Sequence, residues 1–233
     1  MGLVFFDLDH TLLNGDSDRE WTRFLIDKGI IDQETSSRVN EEFYADYAAG
    51  TLDIHAFARF AFAPLARYPI EKLKLWRAQY LHERVEPMIT QEALALVEKH
   101  RKAGDILVMI TATNSFVTRP IADLFGIEHL IATEPRRKNN RYLAEIEGIP
   151  AFREGKVARL KHWLASRPEL SETDSWCYSD SHNDLPLLEF VNHPVAVNPD
   201  KKLAETATVR GWPILDLHQT ALGVRQDKSS ARA

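Results

Sequence analysis

A single cysteine, Cys177, is all that the 233-residue chain carries. One thiol allows no intrachain disulfide and no Cys-rich zinc site. Long apolar runs are missing as well: none approaches the roughly 18 residues that a membrane helix needs. The first run, Leu3–Phe6, is interrupted at once by Asp7 and Asp9 and is too short for a secretory leader. Gly2 lacks a myristoylation context, because position 6 is Phe6 rather than Ser or Thr. There is no excess of positive charge. The 29 Lys and Arg against 34 Asp and Glu leave a net charge of −5, which argues against the basic surface that nucleic acid or an anionic membrane would require. Internal repeats and low-complexity segments are absent too. These absences predict a soluble cytoplasmic protein whose partner is neither nucleic acid nor membrane. They leave its oligomeric state open.

What is present is the composition of a globular chain, 44% apolar and 27% charged. The length allows one domain, or a domain with an insertion. The run 3–6 reads as a strand buried on both faces and running into polar residues. The run 106–110, ending in Thr111, has the same form, and 175–178 and 195–197 are weaker versions of it. Helical patterns lie between them, over 92–102 and 157–164. Strands alternating with helices predict a parallel sheet in an α/β fold. Residues 16–84 break the alternation, with aromatic and aliphatic residues at helical spacings and no strand-like run. They read as a helical insertion after the first strand, placed to cover whatever binds at its carboxyl end. Residues 136–149 suggest a β-hairpin, and 223–233 a flexible polar tail.

The chemistry gathers where strands end. Asp7-Leu8-Asp9-His10-Thr11 follows the first strand directly. Residues two apart on a strand share a face, so both carboxylates can enter one crevice. Two such charges repel, and a hard cation with oxygen ligands, Mg²⁺ above all, relieves them. A carboxylate can also attack phosphorus, while a second one moves protons. Thr111, followed by Ala112 and Thr113, offers a hydroxyl and main-chain N–H groups to a phosphate oxygen, although a strand-ending or capping Thr looks the same. Lys156 stands at a helix start, where the dipole disfavours it unless acidic groups or a phosphoryl group compensate. Taken alone it would read as a surface lysine. Asp180 and Asp184 add oxygen ligands after a third strand, although an N-cap would use the same residue types. His10 and His182 flank these motifs without zinc-binding spacing, and read as neighbours of a site rather than ligands.

As a set, these four motifs resemble those of the haloacid dehalogenase-like phosphohydrolases, across about 180 residues. The resemblance implies a Rossmann-like core (1–15 and 85–222) with a helical cap (16–84), and Mg²⁺ as cofactor. It implies Asp7 as nucleophile and Asp9 as general acid and base, with Thr111 binding the phosphoryl group and Lys156 stabilising it. Mg²⁺ would be held by Asp7, Asp180 and the main-chain carbonyl of Asp9. Ala112, Thr113, Asn183 and Asp184 would support phosphate or metal. The insertion is similar to the cap of the phosphoserine phosphatase-like subgroup, and Gly50-Thr51-Leu52 is similar to a segment of that subgroup. Asp16 stands where phosphoserine phosphatases usually carry Glu, and Ala61 where they carry the arginine for the substrate carboxylate, with Arg59 nearby. The closer resemblance is to the subfamily IB hydrolases, some of which are assigned as histidinol-phosphate phosphatases. The function so implied is Mg²⁺-dependent hydrolysis of a small-molecule phosphate ester through an aspartyl phosphate, with histidinol phosphate and phosphoserine as candidates. Asp16, Asp18, Arg19, Trp21 and Arg59 are the candidate substrate contacts from the cap. A phosphotransferase or mutase, and a phosphoaspartate signalling domain without turnover, stay open as alternatives.

Overall fold

The computed structural model describes residues 2–170 and 174–218, the side chain at position 35 aside. The expected tail, 223–233, lies outside the described residues.

Four strands have the forms expected: β1 (Leu3–Phe6), β2 (Ile106–Asn114), β5 (Ser175–Ser179) and β6 (His193–Val197). Between β2 and β5 runs the hairpin of β3 (His129–Lys138) and β4 (Arg141–Glu147), and β7 (Ile214–Leu215) closes the far edge. The sheet order is β4-β3-β2-β1-β5-β6-β7, antiparallel only at β3–β4. The hairpin turns through Asn139 and Asn140, both with positive φ, as a tight two-residue turn requires. The expected hairpin is therefore present, but its first strand begins earlier, inside the parallel sheet. β2 likewise outruns the apolar run 106–110, because pairing continues past Thr111 with a shift of register before Asn114.

β1 shows why a fully apolar run marks the middle of such a sheet. Val4 and Phe6 pack into one layer, with Met109 and Tyr178, while Leu3 and Phe5 pack into the other, with Val108 and Cys177. The first layer is closed by α1 (Ser17–Asp27), α3 (Ile54–Ala61), α4 (Ala63–Arg67), α5 (Ile70–Tyr80) and α6 (Gln91–Lys102), with α7 (Ser115–Leu124) beside β2, while α2 (Gln33–Ala49) packs against α1. The second layer takes α8 (Glu154–Ala165), α9 (Leu185–Leu188) and α10 (Lys201–Arg210).

Trp21, Phe24, Leu25, Leu65, Leu73 and Tyr80 join the same apolar cluster as Val4 and Phe6. The helical stretch thus shares its core with the sheet and has no separate one. Trp21 is only 2% exposed and packs edge-on to Tyr80 and Phe116. No described helix is long and apolar enough to cross a membrane.

Candidate active site

The carboxyl ends of β1, β2 and β5 meet at one cavity of about 200 Å³. Asp7 leaves β1 in extended conformation (φ −68°, ψ 163°), and its N–H still pairs with the Tyr178 carbonyl at 2.9 Å. Asp9 reaches the cavity by a different route from the one expected. It lies beyond the strand, in the turn Leu8–Leu12, where His10 takes a left-handed φ of 57°. The turn, rather than the two-residue period of a strand, presents the second carboxylate.

The two carboxylates sit in unlike surroundings. Asp7 Oδ1 accepts a 2.8 Å bond from Lys156 Nζ, which also donates to Asp184 Oδ2 at 2.6 Å. Asp9 Oδ1 accepts from the Ser17 N–H at 2.6 Å, and its Oδ2 from the Thr113 hydroxyl at 2.8 Å. Burial and then the Asp16 charge hold the Asp9 carboxyl well above the usual range. Burial also raises Asp7, against the pull of Lys156, with Asp184 adding to the rise. Burial works against a charged Lys156, but Asp184 and Asp7 outweigh it and raise the ammonium, which stays protonated.

Lys156 itself is 3% exposed, far from the surface lysine that its sequence context suggests in isolation. The third residue of α8, it is carried inward because the chain turns tightly before the helix. A Cβ on Gly155 would lie 2.1 Å from the Pro150 carbonyl oxygen, so only glycine fits that turn.

Thr11 Oγ1 lies 3.3 Å from both Asp7 Oδ2 and Asp180 Oδ1 and accepts the Asp180 N–H at 3.0 Å. Burial raises Asp180 well above the usual carboxylate range, and the charges of Asp7 and Asp184 add to it. Four buried or nearly buried carboxylates around one lysine leave an excess of negative charge, which fits a hard cation. Among the described residues, no three His, Cys, Asp or Glu side chains gather into a closed metal cage. With the Asp9 carboxyl engaged by Ser17 and Thr113, the donor set for a cation is the carboxylates of Asp7 and Asp180, together with main-chain and solvent oxygens.

Thr111 is buried on the cavity wall beside Ala112 and Thr113, and its hydroxyl accepts the Thr113 N–H at 3.2 Å. Asp184 Oδ2 takes a further 2.7 Å bond from Ser179. Asn183 does not line the cavity; its side chain is held by Arg153 Nε at 3.0 Å and donates to the Tyr47 carbonyl at 3.1 Å.

Of the five substrate contacts expected from residues 16–84, three line the cavity: Asp16, Asp18 and Arg19. Trp21 does not, because it points into the shared core. Arg59 does not either, since α3 turns it away and presents Ile54 and Phe57 instead. Arg19 is held by Glu41 and lies 5.0 Å over the Tyr44 ring. The sequence reading missed Thr11, Phe43, Tyr47 and Arg153. Thr11 stood within the first motif. The aromatic residues differed in no way from core residues, and Arg153 carries no motif at all.

The family model for haloacid dehalogenase-like hydrolases matches residues 4–189. The chain belongs to the haloacid dehalogenase-like hydrolases. Among its relatives in this family is a histidinol-phosphatase from Neisseria meningitidis, 44% identical, with 92% of this chain and 98% of the relative covered. A phosphoserine phosphatase from Mycobacterium tuberculosis is 28% identical, covering 99% of this chain and 75% of its own length. A structure of a protein of unknown function from Bordetella pertussis aligns with a TM-score of 0.86 at 43% identity, covering 92% of this chain and 98% of that one.

Proposed function

We propose that this hydrolase is a Mg²⁺-dependent phosphatase that cleaves a small phosphomonoester through an aspartyl phosphate on Asp7. One observation carries the reading. Asp7 and Asp9 face the same cavity, yet one carboxylate is paired with a buried lysine and the other is set in neutral donors. Environments that separate two carboxyls in this way assign them different roles.

Asp7, kept anionic by Lys156, attacks phosphorus as the ester P–O bond breaks. Asp9, protonated through its burial, gives its proton to the departing alkoxide. Water then attacks the phosphorus of the aspartyl phosphate and passes a proton to Asp9, and the P–O bond to Asp7 breaks. Phosphate leaves and both carboxyls return to their starting states. Thr111 and the main-chain N–H groups near it hold the phosphoryl oxygens. Mg²⁺, held by Asp7, Asp180 and the main-chain oxygen of Asp9, would supply charge neutralisation and a template for the phosphoryl group. Residues 16–84 act as a cap that closes the cavity from water.

Histidinol phosphate is the first substrate to test, because a relative of 44% identity bears the name histidinol-phosphatase. Phosphoserine is the second. The buried, unpaired Cys177 suits a reaction in the cytoplasm. The test is phosphate release from a panel of phosphomonoesters, with Mg²⁺ and with EDTA, for the native chain and Asp7→Asn. The expected outcome is an EDTA-sensitive hit that Asp7→Asn abolishes. Turnover by Asp7→Asn would overturn the proposed chemistry, and a stable phosphoprotein that never releases phosphate would favour a signalling role.

A further inference from the structure

A second cavity, of about 160 Å³, lies within the helical stretch, between α1, α3, α4 and the first turn of α2. It shares no lining residue with the cavity that holds Asp7. Its wall is mostly apolar, with Trp21, Leu25, Ile31 and Phe60 prominent. Apolar cavities of about 150 Å³ hold molecules the size of benzene. Two hydroxyls interrupt this wall. Thr22, 6% exposed, and Ser36, 9% exposed, make no side-chain hydrogen bond to any described residue. The indole N–H of Trp21 is buried and lacks an acceptor as well. Buried donors without acceptors are costly, and an occupant that accepts hydrogen bonds relieves them. Among the described residues lining the cavity, the one charged side chain is Arg67. It is exposed and forms no ion pair among those residues; its guanidinium lies 5.4 Å from the centre of the Tyr68 ring.

We propose that this cavity is a binding site for a small apolar carboxylate, aliphatic or aromatic. The apolar body rests on Trp21, Leu25 and Phe60. The carboxylate pairs with Arg67 and accepts from the Thr22 and Ser36 hydroxyls. Charge decides the class of ligand. With one cation and no acidic side chain on the described wall, an amine is repelled and a neutral molecule leaves the guanidinium unpaired. The site stands apart from the proposed phosphatase chemistry and does not depend on it.

The experiment is isothermal titration calorimetry of the full chain with hexanoate and with phenylacetate, each against its neutral counterpart, hexanol or 2-phenylethanol. The two acids separate an aliphatic from an aromatic ligand. The same titrations are run on Arg67→Gln and on Arg19→Gln, which removes a cation from the other cavity. At least one acid is expected to bind the native chain about tenfold tighter than its alcohol, a comparison that needs no variant. Arg67→Gln should weaken that acid about tenfold and leave the alcohol within twofold, while Arg19→Gln changes neither. Arg67 is exposed, so its substitution spares the core, and the unchanged alcohol affinity verifies that the cavity is intact. No binding of either acid at millimolar concentration overturns the inference. So does equal binding of acid and alcohol, or an acid affinity unchanged in Arg67→Gln. Loss of acid binding in Arg19→Gln alone places the ligand in the other cavity and overturns it too.

Discussion

The hydroxyl of Thr113 donates a 2.8 Å hydrogen bond to Oδ2 of Asp9, joining the end of β2 to the turn after β1. With the Ser17 N–H on Oδ1, it fixes the plane of the Asp9 carboxyl. Positioned proton donors depend on such orientation. Thr113→Val keeps the shape and removes the donor. A hydrogen bond to a neutral group is worth about 0.5–1.5 kcal/mol, so kcat is expected to fall about 3- to 10-fold. Thr113→Ser should restore most of it. Steady-state kinetics on the three proteins checks this, and a Thr113→Val kcat within twofold of native would exclude the positioning role.

Lys156 is the one buried cation between Asp7 and Asp184. Lys156→Met leaves two carboxylates buried without it, and breaking such a pair costs about 3–5 kcal/mol. Urea unfolding at pH 7 in EDTA should show a loss of that size, together with loss of phosphate release. The sign with pH follows from the carboxylates. Without the lysine they protonate more readily in the folded state, so the deficit should be smaller at pH 5 than at pH 8. A deficit that does not change with pH would mean that packing, not charge, is what Lys156 contributes.

The legible parts of the molecule were those that depend on local pattern. Four consecutive apolar residues ending in Asp7 show a strand buried on both faces, and Leu3–Phe6 divides between the two layers accordingly. Features set by the tertiary fold were not legible. Helical spacing located Trp21 on a helix, but only the packing of α1 against Tyr80 and Phe116 turns it into the core and leaves Asp18 on the cavity. The burial of Lys156 depends on the turn at Gly155, and its charge partners lie 149 and 28 residues away in sequence. Asp9 was correctly associated with Asp7, but by strand periodicity, where the structure uses a turn.

Asp18 carries a cost to stability that depends on pH. Burial, with Asp16 adding to it, pushes its carboxyl from 3.8 up to about 7. The folded state therefore holds a proton that the unfolded chain has released. Stability is unaffected by this group below about pH 4, falls as pH rises from 4 to 7, and stays reduced above that. Asp18→Asn removes the penalty. In the absence of substrate it should match the native chain at pH 4 and be more stable by about 2–4 kcal/mol at pH 8. Denaturant midpoints at the two pH values check this. A variant no more stable at pH 8 than at pH 4, relative to native, would show that Asp18 is not held in a desolvated site.

Arg153 ties the loop before α8 to the end of α2 at a backbone position unfavourable for its residue type. Its φ of 51° and ψ of −123° suit glycine. Even so, its guanidinium spans from Asn183 Oδ1, at 3.0 Å, to the Gly50 carbonyl at the end of α2. Gly50 has φ +80°, which disfavours any side chain there, and the Arg153 Nη2 packs 2.8 Å from where a Cβ would stand. Three further bonds cross the same seam: Tyr47 to Ser181, Asn183 to the Tyr47 carbonyl and Lys202 to the Ala49 carbonyl, each 3.1 Å. Arg153→Gly separates strain from tethering. It relaxes the backbone, by about 1–3 kcal/mol, and deletes the guanidinium bridge. Thermal stability should therefore hold or rise, while KM increases about three- to tenfold because α2 is held less firmly beside the cavity. A variant that loses stability and leaves KM unchanged would show that Arg153 supports the loop before α8 rather than the placement of α2.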